Sequence, residues 1–262
     1  MSEEKLIGRK TGPVAEIIFN NPERHNATSL DMWQRMGAFA EEFAKDPEIR
    51  VLVVSGAGGK AFVSGADISK FETERAGKDA SDHYNRTSAK AYAAVYNFPR
   101  PTIAKITGYC IGGGAALAVC CDLRFCDDKA KFGIPAGKLG LGYGHAGLQR
   151  LVEVVGQPAA LDMFYSARQM DAAEALRLGL VNRVVATAEL DKTVADYCDT
   201  VAGNAPMTIA TIKAASRELN KPSTERDLGK IDRMVQDCFA SQDYIEGRRA
   251  FMAKRKPKFQ GK

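Results

Sequence analysis

The chain has 262 residues, enough for one large domain or for a core domain with a small appendage. Hydrophobic residues make up 45% of it and charged residues 26%, which is typical of a globular protein in water. The 37 basic and 32 acidic residues leave a net charge of +5, which suits a phosphorylated small molecule but is too small to indicate nucleic-acid binding.

Targeting and metal-binding patterns are not found in the sequence. It begins Met-Ser-Glu-Glu-Lys, without an apolar signal region, and no run approaches the roughly 18 apolar residues of a membrane span. The six cysteines include no Cys-x-x-Cys pair, and the three histidines are far apart in the sequence. We therefore expect a cytoplasmic, reduced protein that binds neither a metal nor a membrane.

Strands and helices alternate in the first half of the chain. Residues 4–20 predict a hairpin, and Ser29 is expected to cap a helix that runs to about Lys45. Aliphatic and β-branched residues predict strands at 50–56, 102–107, 123–126 and 130–133. A polar stretch at 69–80 is expected to be mobile, and a helix is predicted at 82–97.

The second half is mostly helical. Helices are predicted at about 146–155, 157–165 and 171–178, with a strand at 180–185, and then at 189–203, 206–219, 224–240 and 242–253. An all-helical end after an alternating core predicts an α/β domain followed by a helical subdomain. We divide the chain into a core at 1–195 and a helical part at 196–262.

Three glycine-rich loops, at 56–68, 108–114 and 134–147, each follow a predicted strand. Glycine lets a ligand approach the backbone closely, and the N–H groups that open a helix at Gly112-Gly-Gly114 can stabilise a developing oxyanion. The alternative is a tightly packed strand-to-helix turn. Three such loops in one chain favour a single shared site. The triple glycine has neither the spacing of a dinucleotide fingerprint nor the Lys-Ser/Thr of a P-loop.

Seven motifs follow one another over nearly the whole chain: Ala61-Phe-Val-Ser-Gly-Ala-Asp-Ile68, Gly108-Tyr-Cys-Ile-Gly-Gly-Gly114, Cys121-Asp122, Phe132-Gly-Ile-Pro135, Gln149-Arg-Leu151, 172–185 and the ending 244–259. In this unbroken order they resemble the crotonase (enoyl-CoA hydratase/isomerase) superfamily. The resemblance implies an α/β fold of the ClpP/crotonase type, a spiral of ββα units with a C-terminal helical trimerisation subdomain. It also implies a homotrimer, or a hexamer made of two trimers.

The resemblance implies an acyl-CoA thioester as the substrate and no separate cofactor. The thioester oxygen would lie between the backbone N–H groups of Ala66 and Gly113. Substrate-binding residues implied by motif matching are Arg24, Ala27, Ser64, Gly65, Asp67, Ile68, Gly112, Ala116, Ala136, Lys256 and Phe259. Lys256 and Phe259 would reach the nucleotide part of a CoA bound to a neighbouring subunit, and the Asp67 side chain is expected to cap a helix.

The chain departs from the family's hydratases at two positions. Those enzymes use two glutamates as general acid and base, and the matching residues here are Ala116 and Ala136. The sequence has no Asp or Glu from residue 83 to 121 or from 129 to 152, so neither loop supplies a carboxylate for proton transfer. Asp122, after the Cys pair, is expected to anchor structure.

Tyr143 and His145 are the polar groups left for the acyl end. The spacing from Phe132 to Tyr143 is similar to that of the methylmalonyl-CoA decarboxylase branch, where a Tyr faces the acyl group. That branch has a His and a glutamate in place of Ala66 and Ala116, so the likeness is partial. Tyr143 is a candidate catalytic residue or a packed part of the pocket wall. His145 is a weaker candidate, the alternative being a hydrogen-bonded residue at a helix start.

Three functions are consistent with these residues. The favoured one is an acyl-CoA enzyme that uses the oxyanion hole without glutamates, as a decarboxylase, thioesterase or isomerase. The second is an ordinary enoyl-CoA hydratase. The third is an acyl-CoA-binding protein or assembly subunit without catalytic activity.

Overall fold

Two sheets form the framework of the fold. The computed structural model describes residues 4–70, 74 and 76–262. The strands are β1 (Leu6–Thr11), β2 (Val14–Phe19), β3 (Val51–Gly56), β4 (Ala61–Val63), β5 (Thr102–Ile106), β6 (Tyr109–Ile111), β7 (Leu123–Asp127), β8 (Lys131–Gly133), β9 (Met170–Asp171) and β10 (Arg183–Val185). The larger sheet has the order β1-β2-β3-β5-β7-β10 and the smaller one β4-β6-β8-β9.

From β3 to β8, consecutive strands alternate between the two sheets. β3, β5 and β7 lie parallel in the larger sheet, and β4, β6 and β8, which directly follow them, lie parallel in the smaller one. β1 and β2 form the predicted antiparallel hairpin. Each turn of the chain thus adds a strand to both sheets before a helix returns it, and this repetition makes the spiral of ββα units. The predicted fold class is confirmed.

Helices connect and cover the sheets. They are α1 (Leu30–Lys45), α2 (Gly77–Tyr96), α3 (Gly113–Ala118), α4 (His145–Val155), α5 (Gln157–Ser166), α6 (Ala172–Arg177), α7 (Leu190–Ala202), α8 (Pro206–Leu219), α9 (Leu228–Ala240) and α10 (Gln242–Met252). The Ser29 hydroxyl accepts a hydrogen bond from the Met32 N–H, which confirms the predicted cap of α1. None of the helices in the described part of the chain is long and apolar enough to cross a membrane.

Some boundaries differ from the prediction. The helix predicted at 82–97 begins at Gly77, within the stretch expected to be mobile; its first turn is solvent-exposed, so it has no apolar periodicity to reveal it. Residues 71–73 and 75 of that stretch lie outside the described residues. The helix predicted from 224 begins at Leu228 because the Asp227 carboxylate accepts the Lys230 N–H.

The strand predicted at 180–185 is shorter, spanning Arg183–Val185. The preceding residues bind Arg124 instead of extending the strand. Its guanidinium Nε donates to the Leu180 carbonyl at 2.6 Å, and its backbone N–H donates to the Asn182 side chain at 2.8 Å. The aliphatic pattern of residues 180–185 alone could not show that residues 180 and 182 bond to Arg124 in this way and do not extend the β-strand.

Both faces of the larger sheet are covered. On one face Phe19 contacts Trp33 of α1 and Phe62 of β4, with ring centroids 5.9 and 6.5 Å apart. On the other face Leu190, Val194 and Cys198 of α7 pack over the central strands. Burial on both sides explains the unbroken aliphatic run of β3. The boundary at 195/196 falls within α7, and the division into two parts stays a prediction.

Asp122 connects the helical end of the chain to the core. Its carboxylate accepts hydrogen bonds from the Lys213 ammonium and the Arg217 guanidinium, both at 2.7 Å, and from the Thr102 N–H at 2.8 Å. Lys213 and Arg217 belong to α8, whereas Thr102 begins β5. The expected anchoring role of Asp122 is confirmed.

Candidate functional site

The first two glycine-rich loops lie against each other. The Gly65 Cα is 3.9 Å from the position of a Cβ built on Gly112 and 4.0 Å from one built on Gly113. A Cβ on Gly114 would lie only 2.1 Å from the Val63 carbonyl oxygen. Glycine is therefore required for the close approach of α3 to β4, and this approach brings residues 64–66 next to residues 112–113.

The backbone N–H groups of Ala66 and Gly113, which lie at this contact, have no acceptor among the described residues. The bridge between Thr28 and Ala66 uses the N–H groups of Thr28 and Asp67, so the Ala66 N–H points to the opposite side. The Gly112 N–H donates to the Gly133 carbonyl at 2.8 Å, which leaves Gly113 as the first unpaired donor of α3. Unpaired donors on two touching loops can together stabilise a developing oxyanion.

Aromatic side chains hold the Gly113 peptide on the side of its carbonyl oxygen. The Tyr92 hydroxyl donates to the Gly113 carbonyl at 3.2 Å, and its ring meets Trp33 edge to face with centroids 5.0 Å apart. The Trp33 Nε1–H donates in turn to the Tyr84 hydroxyl at 2.8 Å. Sequence reasoning missed this support. The recurrence of Tyr84 and Tyr92 on one face of α2 is the signal that could have indicated it.

The loop at 20–28 joins the site through backbone pairing. The Ser64 N–H donates to the His25 carbonyl at 3.2 Å, and the Thr28 N–H donates to the Gly65 carbonyl at 2.9 Å. Asn26, which adopts a left-handed conformation with φ of 56°, donates its side-chain amide to the Ala61 carbonyl at 2.7 Å. Arg24, Ala27, Ser64, Gly65 and Asp67 thereby come together as predicted by motif matching. The Ile68 side chain lies outside the described part.

Asp67 caps the short 3-10 helix Ile68–Lys70. Its carboxylate accepts the Ser69 hydroxyl at 2.6 Å and the Ser69 N–H at 3.1 Å, which confirms the expected capping role. The Arg24 guanidinium donates to the Ser69 hydroxyl at 2.8 Å and lies 3.3 Å from the Asp67 carboxylate. The hydrogen bond from the Ser69 hydroxyl is the main cause that lowers the pKa of Asp67, and the charge of Arg24 adds to it.

Ala116 and Ala136 are both buried beside these loops. Ala116 lies in the first turn of α3, and Ala136 lies in the 3-10 helix Pro135–Lys138. The Cys120 thiol, one turn after Ala116, donates to the Ala116 carbonyl at 3.1 Å. Burial raises the pKa of Cys120 to about 11, so the group is a neutral thiol near pH 7. The side chains at these positions are thus small and uncharged.

Tyr143 packs against the start of α4 and against α5. Its ring meets Phe164 with centroids 4.5 Å apart, and a Cβ on Gly147 would lie 2.7 Å from its Cε1. Although 39% of the residue is exposed, burial of the hydroxyl raises the pKa of Tyr143 to about 12, and the neighbouring Cys120 adds to the shift. The phenol is therefore a hydrogen-bond donor at neutral pH. Packing and catalytic roles are compatible with this position, and the catalytic role stays a prediction.

The remaining predicted residues lie apart from this packing. His145 is exposed at the first residue of α4, and its role stays a prediction. Phe259 packs on α10, where a Cβ on Gly247 would lie 3.4 Å from its ring, and Lys256 is exposed. Asp243 of α10 holds the tail through the N–H groups of Gln260 and Gly261, at 2.7 and 2.8 Å. Contact of this tail with a neighbouring subunit stays a prediction.

Known proteins are similar to this chain over nearly its whole length. Residues 9–262 match the protein family described as Enoyl-CoA hydratase/isomerase. The crotonyl-CoA hydratase of Syntrophomonas wolfei is 33% identical over 99% of each chain, and a probable enoyl-CoA hydratase of Rhizobium meliloti is 36% identical over 99% of each. The crystal structure of an enoyl-CoA hydratase/carnithine racemase from Magnetospirillum magneticum is 37% identical. It covers 100% of this chain and 97% of that one, with a TM-score of 0.93.

Proposed function

Because the chain belongs to the enoyl-CoA hydratase/isomerase family of acyl-CoA enzymes, we propose that its touching glycine loops hold the thioester carbonyl of an acyl-CoA. The observation that carries the proposal is the pair of unpaired N–H groups, on Ala66 and Gly113. Each donor is worth roughly 3 kcal/mol toward an enolate, by analogy with other oxyanion holes. Arg24, Ala27 and residues 64–68 form the surface that binds CoA.

The reaction uses this hole without a carboxylate acid or base. Ala116 and Ala136 cannot transfer a proton, and a carboxylate in their place would repel an anionic acyl group. A decarboxylation fits best: the electrons of the breaking C–C bond enter the thioester, CO2 leaves, and the enolate held by the two N–H groups takes a proton from water at Cα. The Tyr143 hydroxyl donates a hydrogen bond that orients the departing carboxylate. Thioester hydrolysis and isomerisation use the same hole.

Hydration of an enoyl-CoA is the second candidate, and the names of the similar proteins favour it. Loss of a general acid or base costs about 10²- to 10⁴-fold in rate. We therefore expect only trace hydration of crotonyl-CoA. A third possibility is a binder without catalytic activity, which would bind CoA esters tightly and release no product.

Turnover of a panel of thioesters separates these functions. Malonyl-type, enoyl and 3-ketoacyl CoA esters are incubated with the protein and the products are followed by chromatography. We expect turnover of at least one malonyl-type ester and trace hydration of crotonyl-CoA. Robust hydration would contradict the proposed chemistry, and tight binding without any product would favour the third candidate.

The variant Tyr143→Phe tests the orienting hydroxyl. Removal of one hydrogen bond to a charged group is expected to lower kcat by about 10- to 100-fold. The pKa of about 12 means that this phenol does not titrate near neutrality, so the ratio of wild-type to variant rate should stay constant from about pH 6 to about pH 9. A ratio that changes over this range would show that Tyr143 acts as a proton-transfer group. An unchanged kcat would leave it a packing residue.

We also propose that the C-terminal helices associate with further copies of the chain, as a homotrimer or as a hexamer of two trimers. An apolar groove of about 620 Å³ lies between α8, α9 and α10. Its lining includes Phe239 and Phe251, which are 63% and 82% exposed in the single chain. Large apolar side chains at this exposure favour burial by a partner.

A further inference from the structure

The glycines that open α3 have no side chains, so contacts from elsewhere in the fold must fix their backbone. Gly112 has φ of 56° and ψ of −114°, a combination that favours glycine. Its N–H donates to the Gly133 carbonyl at 2.8 Å, and its carbonyl accepts the Ala116 N–H at 3.0 Å. The second bond holds the peptide plane that contains the Gly113 N–H. Main-chain groups therefore fix one side of Gly113.

A side chain holds the other side of Gly113. The Tyr92 hydroxyl, from α2, donates to the Gly113 carbonyl at 3.2 Å. The same oxygen lies 3.1 Å from the position of a Cβ built on Gly113, and the Trp33 Cζ2 lies 3.4 Å from that position. The hydroxyl thus fills the space beside the Gly113 Cα that a side chain would otherwise take. Contacts at both the carbonyl and the Cα restrict rotation of this glycine.

Tyr92 is itself held by a buried aromatic cluster. Its ring meets that of Trp33 with centroids 5.0 Å apart, and Trp33 is only 1% exposed. The Trp33 Nε1–H donates to the hydroxyl of buried Tyr84 at 2.8 Å, and its ring also meets Phe19 of the larger sheet. Closely packed rings leave little room for rotation. The position of the Tyr92 hydroxyl is therefore set by α1, α2 and the larger sheet together.

We infer that Tyr92 is a positioning residue of the proposed oxyanion hole, whose hydroxyl keeps the Gly113 N–H aligned with that of Ala66. The inference rests on the proposed acyl-CoA site and adds the residue that sets its alignment. Hydrogen bonds to an ionised acceptor are about twice as strong as those to a neutral one. A misaligned donor consequently weakens the stabilisation of an enolate more than it weakens the binding of a neutral thioester.

Acetoacetyl-CoA tests this difference without requiring turnover. It exchanges its Cα proton with the buffer at equilibrium, and its enolate absorbs in the near ultraviolet. Binding to the wild type should raise the enolate fraction above that of the free ester when absorbance is read directly after mixing. In Tyr92→Phe the enolate-to-ketone ratio of the bound ester should be about 5- to 10-fold lower, as expected for one lost hydrogen bond. Calorimetry with butyryl-CoA, which has no comparably acidic proton, should give a Kd within about 2-fold of the wild type.

Tyr96→Phe is the matched control, because it removes a hydroxyl from the next turn of α2. Its ring contacts Arg150 and Arg217, and both contacts are kept in the variant, so the enolate ratio should not change. An unchanged ratio in Tyr92→Phe, or an equal loss of butyryl-CoA affinity, would overturn the inference. A wild type that binds butyryl-CoA without raising the enolate fraction would refute the hole itself. Binding of neither ester would refute the acyl-CoA site.

A second variant tests the contact between the hydroxyl and Gly113. Gly113 has no positive φ, so alanine suits the backbone, but its Cβ would lie 3.1 Å from the Tyr92 oxygen. Gly113→Ala should therefore displace the hydroxyl and lower the enolate ratio. In the Tyr92→Phe background the oxygen is absent, and the loss caused by Gly113→Ala should be at least about 3-fold smaller. Equal losses in the two backgrounds would overturn the inference.

Discussion

Ala66 and Gly113 contribute backbone N–H groups to the candidate site. Ala66 has a small side chain and Gly113 has none, and this lack of bulk is what suits them to the position. The bridge to Thr28 occupies the Gly65 carbonyl and the Asp67 N–H, and it leaves the Ala66 N–H without an acceptor in the described part of the chain. Tyr92 holds the Gly113 peptide by its carbonyl. Rigid placement of such donors is what allows them to stabilise charge without reorganisation. At the scale of single residues, the site therefore depends on which N–H groups remain unpaired.

Replacing Ala66 by proline removes one donor from the proposed hole. Proline lacks the N–H, and no structural hydrogen bond in the described part of the chain is lost with it. We expect kcat on the preferred thioester to fall by about 10²- to 10³-fold. Ala66→Gly keeps the N–H and should retain most of the activity. Circular dichroism is the control for folding of both variants. Equal activities of Ala66→Pro and Ala66→Gly would contradict the role of this N–H.

At the scale of elements, the site is the contact between two strand–loop–helix units. α3 begins so close to β4 that Gly114 has no room for a Cβ beside the Val63 carbonyl. Strand β8, which precedes the third loop, contributes differently, because its Gly133 carbonyl accepts the Gly112 N–H and so orients the turn. Where backbone packs directly on backbone, an added atom is poorly tolerated, because neither backbone segment can rotate away as a side chain would.

Gly114→Ala and Gly142→Ala form a matched pair that tests this tolerance. An added Cβ at Gly114 would lie 2.1 Å from a backbone oxygen, whereas nothing lies within 4 Å of one at Gly142. Overpacking should lower the free energy of unfolding of Gly114→Ala by about 1–3 kcal/mol and reduce activity by separating the loops. Gly142→Ala should be neutral or slightly stabilising. Urea denaturation measures both, and equal stabilities would refute the close approach.

At the scale of the whole molecule, the ββα spiral and the C-terminal helices are connected by a few polar contacts. Asp122 joins β5 to α8 through Thr102, Lys213 and Arg217. Burial lowers the pKa of Lys213, and the Asp122 charge opposes this change. The ion pairs therefore hold the helical end of the chain in place, and the apolar groove of that end, the surface proposed for association, is exposed.

Asp122→Asn should weaken the attachment of α8. Removing one partner of a buried ion pair costs about 3–5 kcal/mol, and the lower end applies because 24% of this side chain is exposed. Asp191→Asn is the control, since that carboxylate is 85% exposed in its pair with Lys105 and should change stability by less than about 1 kcal/mol. Urea unfolding of the two variants gives the comparison. A loss at Asp122 no larger than that at Asp191 would contradict the anchoring role.

Self-association is tested at the groove. Phe239→Ser should reduce the molecular mass measured by light scattering toward that of a single chain, because it removes an exposed apolar group from the proposed interface. Phe239→Leu keeps the apolar surface and serves as the control. Cys238 beside it should react with a thiol reagent faster in the dissociated Ser variant than in the wild type. A wild-type protein that is already monomeric would refute this interface.

From the sequence alone we predicted most of the helices, the strands of the larger sheet, the fold class and the three glycine-rich loops, but not the short strands β4, β6 and β9. Local patterns carry this information: residues 51–54 of β3 are all aliphatic because both faces of the strand are buried, and Ser29 marks a helix start because it caps one. The resemblance of the motifs also pointed to Ala66 and Gly113 as candidate donors, a role that stays a prediction. The absence of carboxylates near Ala116 and Ala136 is a property of the sequence alone.

Only the tertiary structure decided which of these groups meet and which donors stay free. Among the described residues the Ala66 N–H has no acceptor, because Thr28, from a distant loop, bonds to Gly65 and Asp67 on either side of it, and no local pattern encodes that register. The guanidinium groups of Arg150 in α4 and Arg217 in α8 both stack on the Tyr96 ring of α2, each with its Cζ 3.6 Å from the ring centroid, and so join three helices that are far apart in the sequence. Hydrogen-bond satisfaction is a property of the assembled fold, so the sequence shows which groups exist and the structure shows which remain available.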